Sequence, residues 1–244
     1  MLPFFYILSY GKGQAEITLD EDNSRHIVQV LRMKKAERLQ LTDGQGNLLT
    51  VQIIDDHKKK CVVKVDESVS LPPRKKKVCI AISLLKNANR FEWFLEKAME
   101  IGVSEIIPLL CERTEKQHFR QERMQALLVS AMLQSQQVWL PELRVPMPFG
   151  EIVKSAGQDR RFIAHCEEEK NGNGNQAAKK KTSLKEAAEQ GTGSSLILIG
   201  PEGDFSQKEI GLALEQGFVP VGLGETRLRS ETAGVVAATL LCIG

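Results

Sequence analysis

Long hydrophobic runs are missing from this chain of 244 residues. None approaches the roughly 20 consecutive apolar residues that a membrane-spanning helix needs. Paired cysteines are missing too. Cys61, Cys79, Cys111, Cys166 and Cys242 are scattered without C-x-x-C spacing. That argues against a zinc site or a disulfide framework and fits a reducing cytoplasm. His57, His118 and His165 form no metal-binding pattern, so no metal is expected. The net charge is only +2, so any attraction for phosphate must come from local clusters. The opening Met1-Leu2-Pro3-Phe4-Phe5-Tyr6 has no basic flank and no small-residue cleavage site, and no signal peptide is expected. G-x-G-x-x-G and G-x-x-x-x-G-K-[ST] are absent, which removes the ordinary dinucleotide and triphosphate sites. Without G-x-S-x-G or H-E-x-x-H, hydrolase and metalloprotease readings lose support.

What is present is an ordinary globular composition, 42% hydrophobic and 26% charged, long enough for one or two domains. The character changes near Leu71-Pro72-Pro73-Arg74-Lys75-Lys76-Lys77, a linker-like stretch that divides the chain into residues 1–72 and 73–244. Before it, Leu39–Asp43, Leu48–Ile54 and Cys61–Val65 are β-rich and partly alternating. Asp43-Gly44-Gln45-Gly46-Asn47 turns between the first two, and Asp20–Met33 reads as a short helix. A small β-barrel is expected. After the linker, strands and helices alternate. Val78–Leu84 is an apolar strand of the kind buried on both faces. Asn89 is placed to cap a helix bearing Phe91, Phe94, Leu95, Ala98 and Ile101 on one face, ended by Gly102. Further strands are expected at Glu105–Leu110, Arg161–His165, Leu196–Ile199 and Val219–Leu223, with a long helix before Pro141. Asn171–Lys181 is a polar segment read as a mobile loop. The final stretch, Thr232–Ile243, is a nearly all-apolar helix that belongs in a core or an interface. The alternation predicts an α/β domain with a mostly parallel sheet.

Two glycine-rich breaks carry the chemistry. The apolar run Leu196–Ile199 stops at Gly200-Pro201-Glu202-Gly203, and a helix signal follows at once. Ser206-Gln207-Lys208-Glu209 has the spacing of a capping box, worth about 1 kcal/mol, which fixes where that helix begins. The second break, Gly222-Leu223-Gly224, leads into Arg227-Leu228-Arg229-Ser230-Glu231-Thr232-Ala233. Ligands of parallel α/β sheets sit at the carboxyl ends of the strands, where both breaks fall. Glycine there lets a ligand touch the backbone, and Pro201 stiffens the turn.

These strings resemble the signature of the RsmE-type 16S ribosomal RNA uridine-N3 methyltransferases of the SPOUT superfamily. His26-Ile27-Val28-Gln29-Val30-Leu31-Arg32-Met33 is similar to that family's N-terminal H-x-x-x-V-L-R-M. Arg90-Phe91-Glu92-Trp93 through Glu96-Lys97-Ala98 to Glu100-Ile101-Gly102-Val103 is similar to its R-x-E-W…K-A-x-E-L-G-V helix. The resemblance runs over nearly the whole chain in order. Departures are Asp204 where a glycine is common, Ser230 for a threonine, and Leu133-Gln134-Ser135-Gln136-Gln137 where E-Q-x-x-R is usual. The polar insert Glu167–Lys181 is a further departure.

The resemblance implies a PUA-like barrel followed by a trefoil-knotted SPOUT domain, a homodimer and a cytoplasmic enzyme. It implies S-adenosylmethionine as cofactor, cradled by Ile199, Gly200, Pro201, Gly203, Leu223, Gly224, Leu228, Ser230, Thr232 and Ala233, with Ala164 and His165 as a third wall. It implies 16S ribosomal RNA as substrate, in the small subunit, with Arg25, His26, Arg32, Lys34 and Arg90 as RNA contacts. Lys58–Lys60 and Arg74–Lys77 would add phosphate attraction. Uridine N3 must lose a proton, so a base or a stabilising cation is needed. Arg229 is the first candidate, with Glu202 and Glu231 as the nearby bases. Arg229 has an alternative role in a salt bridge with Glu231, and Glu231 one in capping the last helix. Two other readings stay open. One is an RNA-binding ribosome-assembly protein without catalysis, motivated by the missing carboxylate–arginine pair. The other is a SPOUT methyltransferase with a different RNA target.

Overall fold

A computed structural model describes residues 2–166, 181–189 and 193–243. Most of the segment expected to be a mobile loop, and most of the polar insert, lie outside the described residues. The chain forms two compact units. One comprises Met1–Pro73 with Val129–Leu140, the other Arg74–Leu128 with Pro141–Gly244.

The first unit contains β1 (Phe4–Tyr6), β2 (Glu16–Thr18), α1 (Glu21–Arg25), β3 (Arg38–Thr42), β4 (Asn47–Asp55) and β5 (Val62–Ser70). They form one mixed sheet in the order β1-β3-β4-β5-β2. β1 runs parallel to β3 and the other pairs are antiparallel. β4 shifts register against β5 twice, after Thr50 and after Ile53. Such irregularities bend and twist a sheet, and the expected barrel takes the form of a curled half-barrel. Inward positions follow the strand period of two: Leu39 and Leu41, then Leu49, Val51 and Ile53, are fully buried with Ile27. Asp43 fixes the β3–β4 turn by accepting from the amides of Gln45 and Asn47. The expected helix at Asp20–Met33 is α1, capped by Asp20 through the Asn23 amide, continued by a π-helical turn at His26–Val30.

The second unit holds β6 (Val78–Ser83), α2 (Ala88–Ile101), β7 (Glu105–Leu110), β8 (Glu142–Leu143), β9 (Met147–Pro148), α4 (Phe149–Ser155), β10 (Arg160–Ala164), β11 (Thr182–Ser183), α5 (Leu184–Glu189), β12 (Ser195–Ile199), α6 (Gln207–Glu215), β13 (Val219–Gly222) and α7 (Ser230–Cys242). The long helix α3 (Gln121–Gln134) ends ahead of Pro141 as expected. The strand order is β11-β13-β10-β12-β6-β7-β8, with β9 also on β7, and every ladder is parallel. This is the α/β architecture that the alternation predicts.

Alternation along β6 and β12 explains why both read as continuous apolar runs. Cys79, Ala81, Leu196 and Leu198 join a core with Phe149, Ile152, Val153, Ile210 and Ala213 of α4 and α6. Ile80, Ile82, Ile197 and Ile199 point the other way and are also buried. On that face α7 packs on α2, β6 and β12. Gly234 permits the approach: a Cβ there would sit 2.6 Å from the Phe94 ring and 3.1 Å from Ile82. The apolar last helix is therefore a core helix of this unit. One cap differs from expectation: α2 begins two residues earlier, and Asn87 rather than Asn89 caps it, accepting from the Asn89 amide at 3.0 Å.

Candidate active site

β12 lies in the middle of the parallel sheet, between β10 and β6. At its carboxyl end the chain breaks at Gly200, turns through Pro201-Glu202-Gly203-Asp204 and enters α6. The capping box is formed as predicted: Ser206 Oγ accepts from the Glu209 amide and Glu209 accepts from the Ser206 amide. Glu209 also accepts from the Glu112 amide at 2.9 Å, and Arg113 Nη1 donates to the Gly203 carbonyl at 2.7 Å. The glycine loop is thus tied to the segment after β7. Gly200 sits in a crowded place: a Cβ would lie 3.2 Å from the ring of the fully buried Phe205, which would have to give by a few tenths of an ångström.

Asp204 explains the departure from glycine. Its φ is +62°, in the left-handed region where glycine is the default and aspartate is tolerated. Its carboxylate gives something glycine lacks, accepting from the Cys166 amide at 2.8 Å and from the Phe205 amide at 2.8 Å. That bond joins the end of β10 to the β12 loop.

Between these loops and the segment entering α7 lies a cavity of about 300 Å³. Of the residues expected to hold a cofactor, Ala164, Ile199, Gly200, Pro201, Leu228, Ser230 and Ala233 line it, as do the catalytic candidates Glu202 and Arg229. His165, Gly203, Leu223, Gly224 and Thr232 are close in sequence to the lining but outside it. Three lining residues escaped the sequence reading: Cys166, Asp204 and Arg227. Arg227 alone had a signal, the Arg-x-Arg spacing with Arg229, which an extended segment turns to one side.

Charges around the cavity are unevenly matched. Glu202 Oε1 accepts from the Lys86 amide at 3.2 Å and lies 4.0 Å from Arg90. Glu231 is 7% exposed and pairs with Arg90, Nε to Oε1 at 3.5 Å, so it neither caps α7 nor meets Arg229. Its Oε2 is buried without a hydrogen-bond partner. Arg90 therefore stands between two carboxylates at the edge of the site. Arg227 and Arg229 are exposed and make no ion pair or side-chain hydrogen bond among the described residues. Of the remaining expected RNA contacts, all in the first unit, Arg25 pairs with Glu21 at 2.8 Å and Lys34 with Asp56 at 3.8 Å. His26 packs edge-on against Phe5, and Arg32 takes a left-handed φ of +58°. Among the described residues no group of three or more acids, histidines or cysteines is placed to hold a metal ion, and no helix is long and apolar enough to cross a membrane.

Residues 72–242 match the RNA methyltransferase domain family. The chain belongs to that family. Residues 19–66 match the RNA methyltransferase PUA domain that accompanies it. Among relatives of this family member, the ribosomal RNA small subunit methyltransferase E of Synechocystis is 30% identical over 228 residues, covering 92% of this chain and 72% of that protein. A probable rRNA-methyltransferase from Porphyromonas gingivalis superposes with a TM-score of 0.85 at 36% identity, covering 99% of both chains. A Legionella pneumophila protein solved with bound SAM superposes with a TM-score of 0.82 at 27% identity, covering 99% of this chain and 97% of that one.

Proposed function

We propose that this chain transfers a methyl group from S-adenosylmethionine to N3 of a uridine in 16S ribosomal RNA. In this reading residues 1–72 are an RNA-binding domain and residues 73–244 a SPOUT-type domain with a trefoil knot. The protein works as a cytoplasmic homodimer on the small subunit. One observation carries the reading: the cavity between the Gly200 loop and the Arg227–Ser230 segment, at the carboxyl end of the central strand, in a chain of this family.

The residues present suit the cofactor. A volume of about 300 Å³ is at the lower end of the range for small-molecule sites. Ile199, Leu228 and Ala233 offer apolar walls for a nucleobase, and the glycine loop offers peptide groups for its polar edge. Bound there, the cofactor supplies a methyl carbon already made electrophilic by its sulfonium.

The chain's own residues must bring the uridine into line, exclude water and favour loss of the N3 proton. In this reading Arg229 stabilises the developing uridine anion with a fixed charge that forms no ion pair among the described residues. Glu202, exposed at the cavity wall, accepts the proton in this reading. Glu231, buried and held by Arg90, keeps an unpartnered carboxylate oxygen beside the α7 end of the site. The protein is incubated with labelled S-adenosylmethionine and small subunits from cells lacking the enzyme. The expected product is N3-methyluridine in 16S RNA by mass spectrometry. Absence of transfer with cofactor binding intact would count against this reading, whereas tight RNA binding with no cofactor affinity by calorimetry would favour the binding-only alternative.

A further inference from the structure

Arg227 and Arg229 both line the cavity, two residues apart, and both are exposed. The two acids that share the lining are already engaged. Both Asp204 oxygens accept backbone N–H groups, and Glu202 accepts the Lys86 amide beside Arg90. Neither acid pairs with Arg227 or Arg229, so the cavity wall carries two guanidinium groups that make no ion pair or side-chain hydrogen bond among the described residues, beside the carboxylates of Glu202 and Asp204. A sulfonium nucleoside amino acid does not supply a countercharge for both. Its sulfonium and ammonium are positive and only its carboxylate negative, so it enters with a net positive charge. Two guanidinium groups unpaired among the described residues find in such a molecule only its single carboxylate, and are better matched by an anion that arrives with the second substrate. One cation has a use at the reacting base, where negative charge develops. The other needs an anion that is already present in the ground state.

We propose that Arg227 holds a backbone phosphate of the RNA next to the target nucleotide, while Arg229 faces the base. The inference rests on the methyl-transfer reading of this cavity. It adds a division of labour: Arg227 acts in substrate binding, by charge and hydrogen bonding to phosphate, and positions the nucleotide for the neighbouring Arg229. A guanidinium suits this task because it stays charged and matches a phosphate with two parallel N–H donors.

The test compares wild type with Arg227→Gln and Arg227→Lys, using S-adenosylmethionine and small subunits or their 16S RNA. In Arg227→Gln, KM for RNA rises about tenfold, and the loss falls on KM rather than on kcat. The slope of log affinity for RNA against log salt shrinks by about 0.7–0.9, the contribution of one phosphate contact. Arg227→Lys keeps that slope because it keeps the charge. Cofactor affinity by calorimetry stays within about twofold of wild type in both. A cofactor Kd that weakens in step with RNA binding would assign Arg227 to the cofactor carboxylate and overturn the proposal, as would an unchanged salt slope. If the wild type transfers no methyl group, the methyl-transfer reading fails by itself. The salt dependence of RNA binding, measured without turnover, still decides whether Arg227 meets a phosphate.

Discussion

Arg90 Nε lies 3.5 Å from Glu231 Oε1, and this ion pair is the polar contact that the buried Glu231 carboxylate makes among the described residues. The pair joins the first turn of α2 to the first turn of α7, two helices that pack along the face of the sheet next to the cavity. Arg90→Gln leaves the carboxylate buried without a countercharge, and should lower unfolding free energy by about 1–3 kcal/mol in urea titrations. Adding Glu231→Gln should restore part of the loss, giving a double-mutant cycle with a coupling of at least about 0.5 kcal/mol. Strictly additive effects would mean that the two groups stabilise the fold independently.

The left-handed backbone at Asp204 sets an order among substitutions. Asp204→Gly removes the acceptor for the Cys166 amide but suits the backbone. Asp204→Ala removes the same acceptor and keeps a Cβ at φ +62° without the carboxylate that offsets its cost. The alanine variant should be less stable than the glycine variant by about 1 kcal/mol, after allowing for the greater freedom of glycine in the unfolded chain. Equal thermal midpoints would show that the loop relaxes out of this conformation.

Cys166 is the exposed thiol among the five cysteines, and it lines the cavity. The others are less available. Burial pushes the thiols of Cys61 and Cys242 up to about 11 and that of Cys111 up to about 12, and holds Cys79 well above the ordinary range. At pH 8 iodoacetamide should alkylate Cys166 first, as read by peptide mass spectrometry. S-adenosylmethionine at ten times its Kd should slow that reaction about tenfold if it fills the cavity. An unchanged rate would place the cofactor elsewhere.

Acid stability should report the Glu92–Arg123 pair. Arg123 donates through Nε at 2.7 Å and Nη2 at 2.8 Å to the two oxygens of Glu92. The hydrogen bonds from Arg123 hold the Glu92 carboxyl below the usual glutamate value, against the opposing pull of burial. A depressed pKa in the folded state adds stability above the unfolded pKa, and that stability is lost as pH falls through the folded one. Wild type should therefore lose more stability than Glu92→Gln as pH drops from about 5 to about 3. Parallel urea midpoints across that range would show that the pair contributes nothing.

The strongly patterned elements were legible from sequence. β6, β7 and β12 are uniform apolar runs, and α2 and α6 carry their own stop and start signals in Gly102 and Ser206. The elements that escaped are short. β8, β9 and β11 have two residues each, too few for any period to show, and β1 and β2 have three. The cavity was legible in outline because glycine and proline mark where a chain must break. Its lining was legible along the glycine-marked segments but not at Cys166, Asp204 and Arg227, because which further side chains face inward depends on how neighbouring loops are tied. Asp204 bonding the Cys166 amide brings both residues to the wall, and no spacing rule connects positions 38 apart.

The order of strands also determines when this cavity can exist. β6 can pair with β7 early, but its other edge must wait for β12, since Val78 pairs with Ser195, and the cavity wall runs from Ala164 to Ala233. A ribosome has to release nearly the whole polypeptide before any of that wall closes, whereas the curled sheet at the amino end draws its strands from the first 70 residues. An unfinished chain can thus acquire its first sheet long before it has anywhere to seat a small molecule.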